Sequence, residues 1–367
     1  MRTRLRFALA VLSALGAAPR ALQAQPRDGT VFAHEGSWVL WFDQGLVWAG
    51  GGTFGLARAQ AGSGASTALV LRASVDRFVT NWLTAGLVAG GGVSWDEAPG
   101  QPTDVSVTGL FGLRVGFAVP IARRSVFWPR VTGLVSKDED RNGLGFTVHT
   151  PFVRQVEPGF LVGFGPAYEF RSDGAAGHRG AAGLMLSFAG VLSGATERRP
   201  DPDPPERFGQ AGQWLMTFKQ DFAGFRGTRG YLAQIWEPGR PTSTFLLMGT
   251  FDWFAFDHVS IGFAAGLGRI SQLRDDVVLE GTATFFGGQL GGAVPLGDSL
   301  VLRPDASVLW RTTEPSTMRR IQLFVPLALE LGHFLVGVGP ALEQVEEEGT
   351  PRVTAIGLAL LVGGWWR

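Results

Sequence analysis

Apolar and polar positions alternate along most of this chain with a period of two. From residue 160 onward, Phe160, Val162, Phe164, Pro166 and Tyr168 fall on one side of an extended backbone. Leu161, Gly163, Gly165, Ala167 and Glu169 fall on the other. Large apolar groups face one way, and small residues ending in a carboxylate face the other. That pattern predicts a strand with a greasy outer face and a crowded, partly polar inner face. Eight such runs fill the first half: 37–49, 67–79, 81–95, 105–119, 125–136, 144–156, 160–171 and 180–192. Eight more fill the second: 213–223, 244–256, 258–269, 278–294, 300–311, 320–331, 334–344 and 353–366. Each is about the length that crosses a bilayer at a tilt, roughly 9–11 residues in the apolar zone.

The two halves are copies of one plan. Residues 160–167 read FLVGFGPA and residues 334–341 read FLVGVGPA, a spacing of 334 − 160 = 174. Asp76-Arg77-Phe78 answers to Asp252-Trp253-Phe254, and Ala118-Val119-Pro120 to Ala293-Val294-Pro295. Pro129 answers to Pro304, and Pro151 to Pro326. The pairs Pro129/Pro304, Pro151/Pro326 and Pro166/Pro340 fall inside predicted strands. A proline there removes a ladder donor, so these positions predict bulges or misplaced strand limits.

Between the runs, long loops at 50–66, 96–104, 137–142 and 172–179 alternate with tight turns at 120–124 and 157–159. The stretch 198–210, RRPDPDPPERFGQ, is charged and Pro-rich and reads as an extended, solvated linker. Its length favours two tandem eight-stranded barrels, 25–197 and 211–367. The alternative is a single sixteen-stranded barrel with one elaborate turn.

Composition agrees with strands. Gly makes up 53 of 367 residues and alternates with Phe, Leu, Val and Trp instead of forming low-complexity tracts. Lys+Arg 32 balances Asp+Glu 32, so no net field draws the chain to nucleic acid. With Cys at 0, disulfides and thiolate metal sites are excluded. Residues 1–24 read as a signal peptide: Arg2, Arg4 and Arg6 precede an apolar stretch at 7–18, and cleavage is expected near Ala24. No later run is long and apolar enough for a spanning helix, which leaves a closed, up-and-down antiparallel β-barrel as the membrane option.

Alternation assigns the inner residues. In the first half they include Asp43, Arg72, Asp76, Arg114, Arg130 and Glu169, and in the second Lys219, Asp252, Arg303, Asp305, Glu330 and Glu343. Charges inside a narrow barrel are costly unless paired. Salt-bridge networks are therefore expected, such as Arg114 or Arg130 with Glu169 and Asp43. Trp38, Trp48, Trp128, Trp214, Trp253, Trp310 and Trp366 read as outward, interface-level aromatics, and Phe42 and Phe188 also read as outward.

The "AVP…S(L/V)…P" and "FLVGxGPA" blocks, over about 36–192 and 212–367, resemble small eight-stranded bacterial outer-membrane β-barrel proteins of the OmpA and OmpX kind, and porin-family-like sequences. The ending LLVGGWWR resembles the aromatic last strand of such proteins, with Arg367 as a departure. The resemblance implies an outer-membrane location, contact with outer-membrane lipid and lipopolysaccharide, and recognition by the assembly machinery. It names no substrate.

The five histidines are His34, His149, His178, His258 and His333, and none has metal-ligand spacing. Lipid-modifying barrels use His and Ser near the outer rim, where His149 and His178 are the candidates here. The expected function is non-enzymatic: a structural, surface-interaction or minor solute-passage barrel, without cofactor or metal. A passive sixteen-stranded porin is the alternative, and a lipid A-modifying enzyme the third reading.

Overall fold

The computed structural model describes residues 33–42, 53–61, 64–97, 103–122, 124–138, 141–172, 178–193, 207–217, 229–236, 242–274, 277–313 and 316–367. All regular structure among them is β. The first half contributes β1 (Trp38–Trp41), β2 (Thr53–Ala61), β3 (Gly64–Phe78), β4 (Leu83–Glu97), β5 (Asp104–Phe117) and β6 (Val119–Ala122). It continues with β7 (Ser125–Phe127), β8 (Arg130–Asp138), β9 (Arg141–His149), β10 (Phe152–Glu157), β11 (Phe160–Ser172) and β12 (His178–Ser193). The second contributes β13 (Trp214–Thr217), β14 (Arg229–Trp236), β15 (Thr242–Phe256), β16 (Val259–Arg274), β17 (Val277–Gly292) and β18 (Val294–Pro295). It ends with β19 (Leu300–Leu302), β20 (Asp305–Thr313), β21 (Ser316–Phe324), β22 (Leu327–Leu331), β23 (Phe334–Glu347) and β24 (Val353–Trp366). Every ladder is antiparallel.

At the end bearing the tight turns, each half closes on itself. β1 pairs with both β3 and β12, and β13 pairs with both β15 and β24. The result is two eight-stranded rings. At the opposite end the ladders cross over. β2 pairs with β3 and with β24 of the other half, while β14 pairs with β15 and with β12. There the strands run as one ring of sixteen. β12 therefore holds β1 through Ala189–Ser193 and β14 through Gly180–Met185. β24 divides itself in the same way between β13 and β2. The two arrangements weighed from the sequence thus occur together, at opposite ends.

Closure satisfies backbone donors and acceptors laterally, which lets the outer surface be apolar. Leu113 and Val115 stand exposed on either side of buried Arg114, and Leu290 stands exposed beside buried Gln289. This inversion, with oily side chains outside and charges inside, is what alternation predicted.

The prolines mark a seam. Strands break at Trp128-Pro129, Thr150-Pro151, Arg303-Pro304 and Val325-Pro326. The carbonyls of Pro129, Pro151 and Pro166 accept from the N–H groups of Phe117, Trp128 and Thr150, stepping from strand to strand. Pro304, Pro326 and Pro340 do the same for Gly292, Arg303 and Val325. Each ring residue that cannot donate still accepts, and the missing donors line up along one diagonal. Pro166 and Pro340 remain inside β11 and β23, opposite Leu184 and Leu358.

Several sequence expectations need correction. The loop expected over 50–66 is largely strand: β2 occupies Thr53–Ala61, and β3 already begins at Gly64. Its counterpart β14, Arg229–Trp236, lies where no run was expected. Asp96 pairs in register with Asp104, and Lys137 with Asn142, so these loops are hairpin ends of strands that continue past the apolar zone. The linker is not solvated along its whole length. Phe208 is buried against Phe254 and Trp365, with ring centroids 5.0 and 6.0 Å away. Gln213 holds that turn: its Oε1 accepts from the N–H groups of Gly209 and Gln210, and its Nε2 donates to the Arg207 carbonyl.

Candidate functional site

The interiors of the two rings are where a passage or a bound solute would have to fit. Each is filled in layers. At the tight-turn end of the first ring, Val39, Trp41, Phe78, Val126, Trp128 and Leu161 form a closed apolar floor. Trp41 meets Trp128 edge-on at 5.0 Å, and Phe78 lies 4.9 Å from Trp128. In the second ring, Phe208, Leu215, Phe254, Val301, Leu335 and Trp365 form the equivalent floor. Leu161 and Leu335, from the repeated octapeptide, occupy matching places.

A layer of buried charge lies next to each floor. Asp76 is fully buried and faces two guanidinium groups, Arg114 at 3.5 Å and Arg130 at 3.7 Å. Arg114 Nε donates to Thr132 Oγ1 at 3.0 Å, and Trp128 Nε1 donates to Thr84 Oγ1 at 3.2 Å. Arg130 lies over the face of Trp41 at 3.7 Å and donates to His149 Nδ1 at 2.8 Å. A Cβ on Gly86 would fall 1.7 Å from Asp76 Oδ1, so only glycine leaves room for this carboxylate.

The second ring keeps the carboxylate and changes its partners. Asp252 binds Arg303 and Gln289, and Arg303 Nη1 also reaches Asp305 at 3.2 Å. Gly262 stands in for Gly86, with a Cβ that would lie 2.0 Å from Asp252 Oδ1. The guanidinium has moved by one inward position along the strand. Trp128 and Arg130 of the first copy answer to Arg303 and Asp305 of the second. Farther on, Arg320 Nη2 donates to Gln322 Oε1 at 3.2 Å, and Gln322 Nε2 donates to Glu343 Oε2 at 3.4 Å. An apolar layer follows, of Leu309, Met318 and Val345 in the second half and Val88 and Leu134 in the first.

The residues expected inside are thus distributed as follows. Asp76, Arg114, Arg130, Glu169, Asp252, Arg303, Asp305 and Glu343 are buried. Glu330 is half-buried beside Phe208, near the tight-turn mouth. Arg72 lies on β3 in register with Gly90. Asp43 and Lys219 lie outside the described residues. The ion pairs seen for Arg114 and Arg130 run to Asp76.

Of the outward tryptophans, Trp38, Trp214 and Trp253 are partly exposed, and Trp214 lies 6.4 Å from Trp253. Trp366 is opposite Trp214 in register, and Trp310 stacks on Phe286 at 5.4 Å. Trp48 lies outside the described residues. Trp128 is the correction: it is fully buried inside the first ring. It shares the parity of Arg130, two residues on, and that parity decides its face over its size. Trp41 and Trp365 are floor residues that the sequence reading missed. Their parity, opposite to that of Trp38 and Trp366, was the available signal.

The wall between the two rings is apolar. Phe42, Phe160, Phe188, Phe334 and Val362 pack there, so Phe42 and Phe188 point away from their own ring but into the junction, not toward lipid. The histidines separate as well. His149 is buried on Arg130, whereas His178 lies at the far, wide end. There its Nδ1 is 3.1 Å from Ser172 Oγ.

No sequence profile of a known protein family matches the chain, and no curated protein matches it. Among solved structures, it is similar to a bacterial polysaccharide outer membrane secretin: 9% identity, 91% of this chain and 99% of that one covered, TM-score 0.40. It is also similar to the Pseudomonas putida toluene transporter TodX: 10% identity, 91% and 90% covered, TM-score 0.37. A third is OccK11 (OpdR) of Pseudomonas aeruginosa, at 11% identity, 91% and 98% covered, and TM-score 0.34.

Proposed function

We propose that this protein is an integral outer-membrane β-barrel with two sealed lumens, acting through its body and surface and not as an open pore. The tight turns face the periplasm and the sixteen-stranded rim faces outward, as expected for a bacterial barrel. Lipid and lipopolysaccharide surround it, and the lumens are structural and non-catalytic.

The observation that carries this reading is the pair of floors. Trp41, Phe78, Trp128 and Leu161 close one ring, and Phe254, Leu335 and Trp365 close the other; all of these are at most 1% exposed. An eight-stranded ring is just wide enough for its own side chains to fill. The wide sixteen-stranded end gives a vestibule, yet both ways out of it end on these floors. That argues against a passive sixteen-stranded porin.

Single-channel recording of purified full-length protein in a planar bilayer tests this. No steady conductance is expected. Large, stable steps in the wild-type protein would refute it.

A further inference from the structure

Ser172 and His178 are the last residue of β11 and the first of β12, and they stand opposite each other in the ladder. His178 Nδ1 lies 3.1 Å from Ser172 Oγ. Both have the parity of Phe164 and Leu184, which are exposed on the outer wall. The pair therefore faces away from the lumen, at the rim of the wide end. Directly below it on the same face runs an aromatic ladder. Phe170 lies 5.7 Å from His178 and 5.7 Å from Phe146, and Phe146 lies 5.8 Å from Tyr168.

We infer that Ser172 and His178 form a nucleophile–base pair that cleaves acyl esters of membrane lipids at headgroup depth. The inference rests on the membrane placement proposed above and adds a surface chemistry to it. Ester linkages of lipids lie where hydrocarbon meets headgroup, and that is where an aromatic ladder on an outer wall gives way to a polar rim. Acyl chains would lie along Phe170, Phe146 and Tyr168, which brings the carbonyl up to Ser172.

The chemistry balances with water as the only co-reactant. Ser172 Oγ passes its proton to His178 Nδ1 and bonds to the carbonyl carbon. The ester C–O bond breaks, and the leaving alcohol takes the proton from His178. Water then repeats the sequence, giving a carboxylic acid and restoring the serine. Among the described residues no carboxylate pairs with His178, which predicts slow turnover.

The test uses full-length protein in mixed micelles containing either diacyl phosphatidylethanolamine or lipopolysaccharide, with release of fatty acid as the readout. The arm that turns over identifies the lipid. A fluorophosphonate probe reports the nucleophile directly. Expected are labelling of Ser172, its loss in Ser172→Ala, and a rate about 100-fold or more lower in His178→Gln. Phe170→Ala should slow long-chain esters more than short-chain p-nitrophenyl esters. Heat-modifiable migration on a gel checks separately that each variant is still a membrane-type barrel. With folded protein, no labelling at Ser172 or full activity in Ser172→Ala would overturn the inference.

Discussion

Phe160 and Phe334 stack across the junction of the two rings, with centroids 6.1 Å apart and planes 19° from parallel. Each ring rests on a glycine of the opposite half: Phe160 on Gly364 and Phe334 on Gly190. A Cβ at Gly364 would lie 2.3 Å from Phe160, and one at Gly190 would lie 2.2 Å from Phe334. The junction is thus a two-fold pair of knobs and holes, and each half carries one of each.

Filling a hole should therefore cost stability. Gly364→Ala forces a buried phenyl ring aside, for about 1–3 kcal/mol. Phe160→Leu in the same chain should return part of the loss. Urea unfolding in detergent, read by heat-modifiable migration, measures both.

The buried Asp76 offers a sharper case. Arg130→Leu leaves the carboxylate with Arg114 alone and strips a cation from the face of Trp41. A loss of about 1–3 kcal/mol is expected, since the buried carboxylate loses one of its two cations and keeps the other. Asp76→Asn in the same chain should cost less than it does alone, because one of the two ion pairs it would break is already gone. A double-mutant cycle showing simple additivity would contradict a shared network.

Gln213 supports the end of the linker through three hydrogen bonds. In Gln213→Ala, the turn carrying Phe208 should open more often. Limited trypsin digestion should then cut after Arg207 roughly tenfold faster, which corresponds to about 1.4 kcal/mol of local stability.

At the wide-end rim, hydrogen bonding from Arg319, then from Arg352, holds the Glu346 carboxyl below the usual carboxylate range. A depressed value stabilises the fold above the unfolded-state pKa, and the contribution disappears as pH falls through the folded one. The urea midpoint of wild type should exceed that of Glu346→Gln slightly at neutral pH. The difference should vanish on acidification and shrink in high salt.

Much of this architecture was legible because alternation is a local, physical signal. Asp76 and Asp252, matched by the duplication alone, do occupy equivalent buried places. Trp128 lies inside because it shares the parity of Arg130, although a tryptophan near a strand end suggests an interface position. β2 and β14 escaped for another reason. Thr53–Ala61 is rich in small residues that resemble loop, and one of its two partner strands, β24, is some 300 residues away. The pairing of Ser172 with His178 was hidden too, because it depends on the register of one hairpin.

The crossing of ladders makes the two halves depend on each other. A lone half would carry naked hydrogen-bonding margins on β2 and β12 at its wide end, which hydrocarbon does not tolerate. Here the other half covers them, and each half bears both the phenyl knob and the glycine notch for a symmetrical embrace. Cutting the linker should therefore leave the two halves held together, each the lid of the other's open margin.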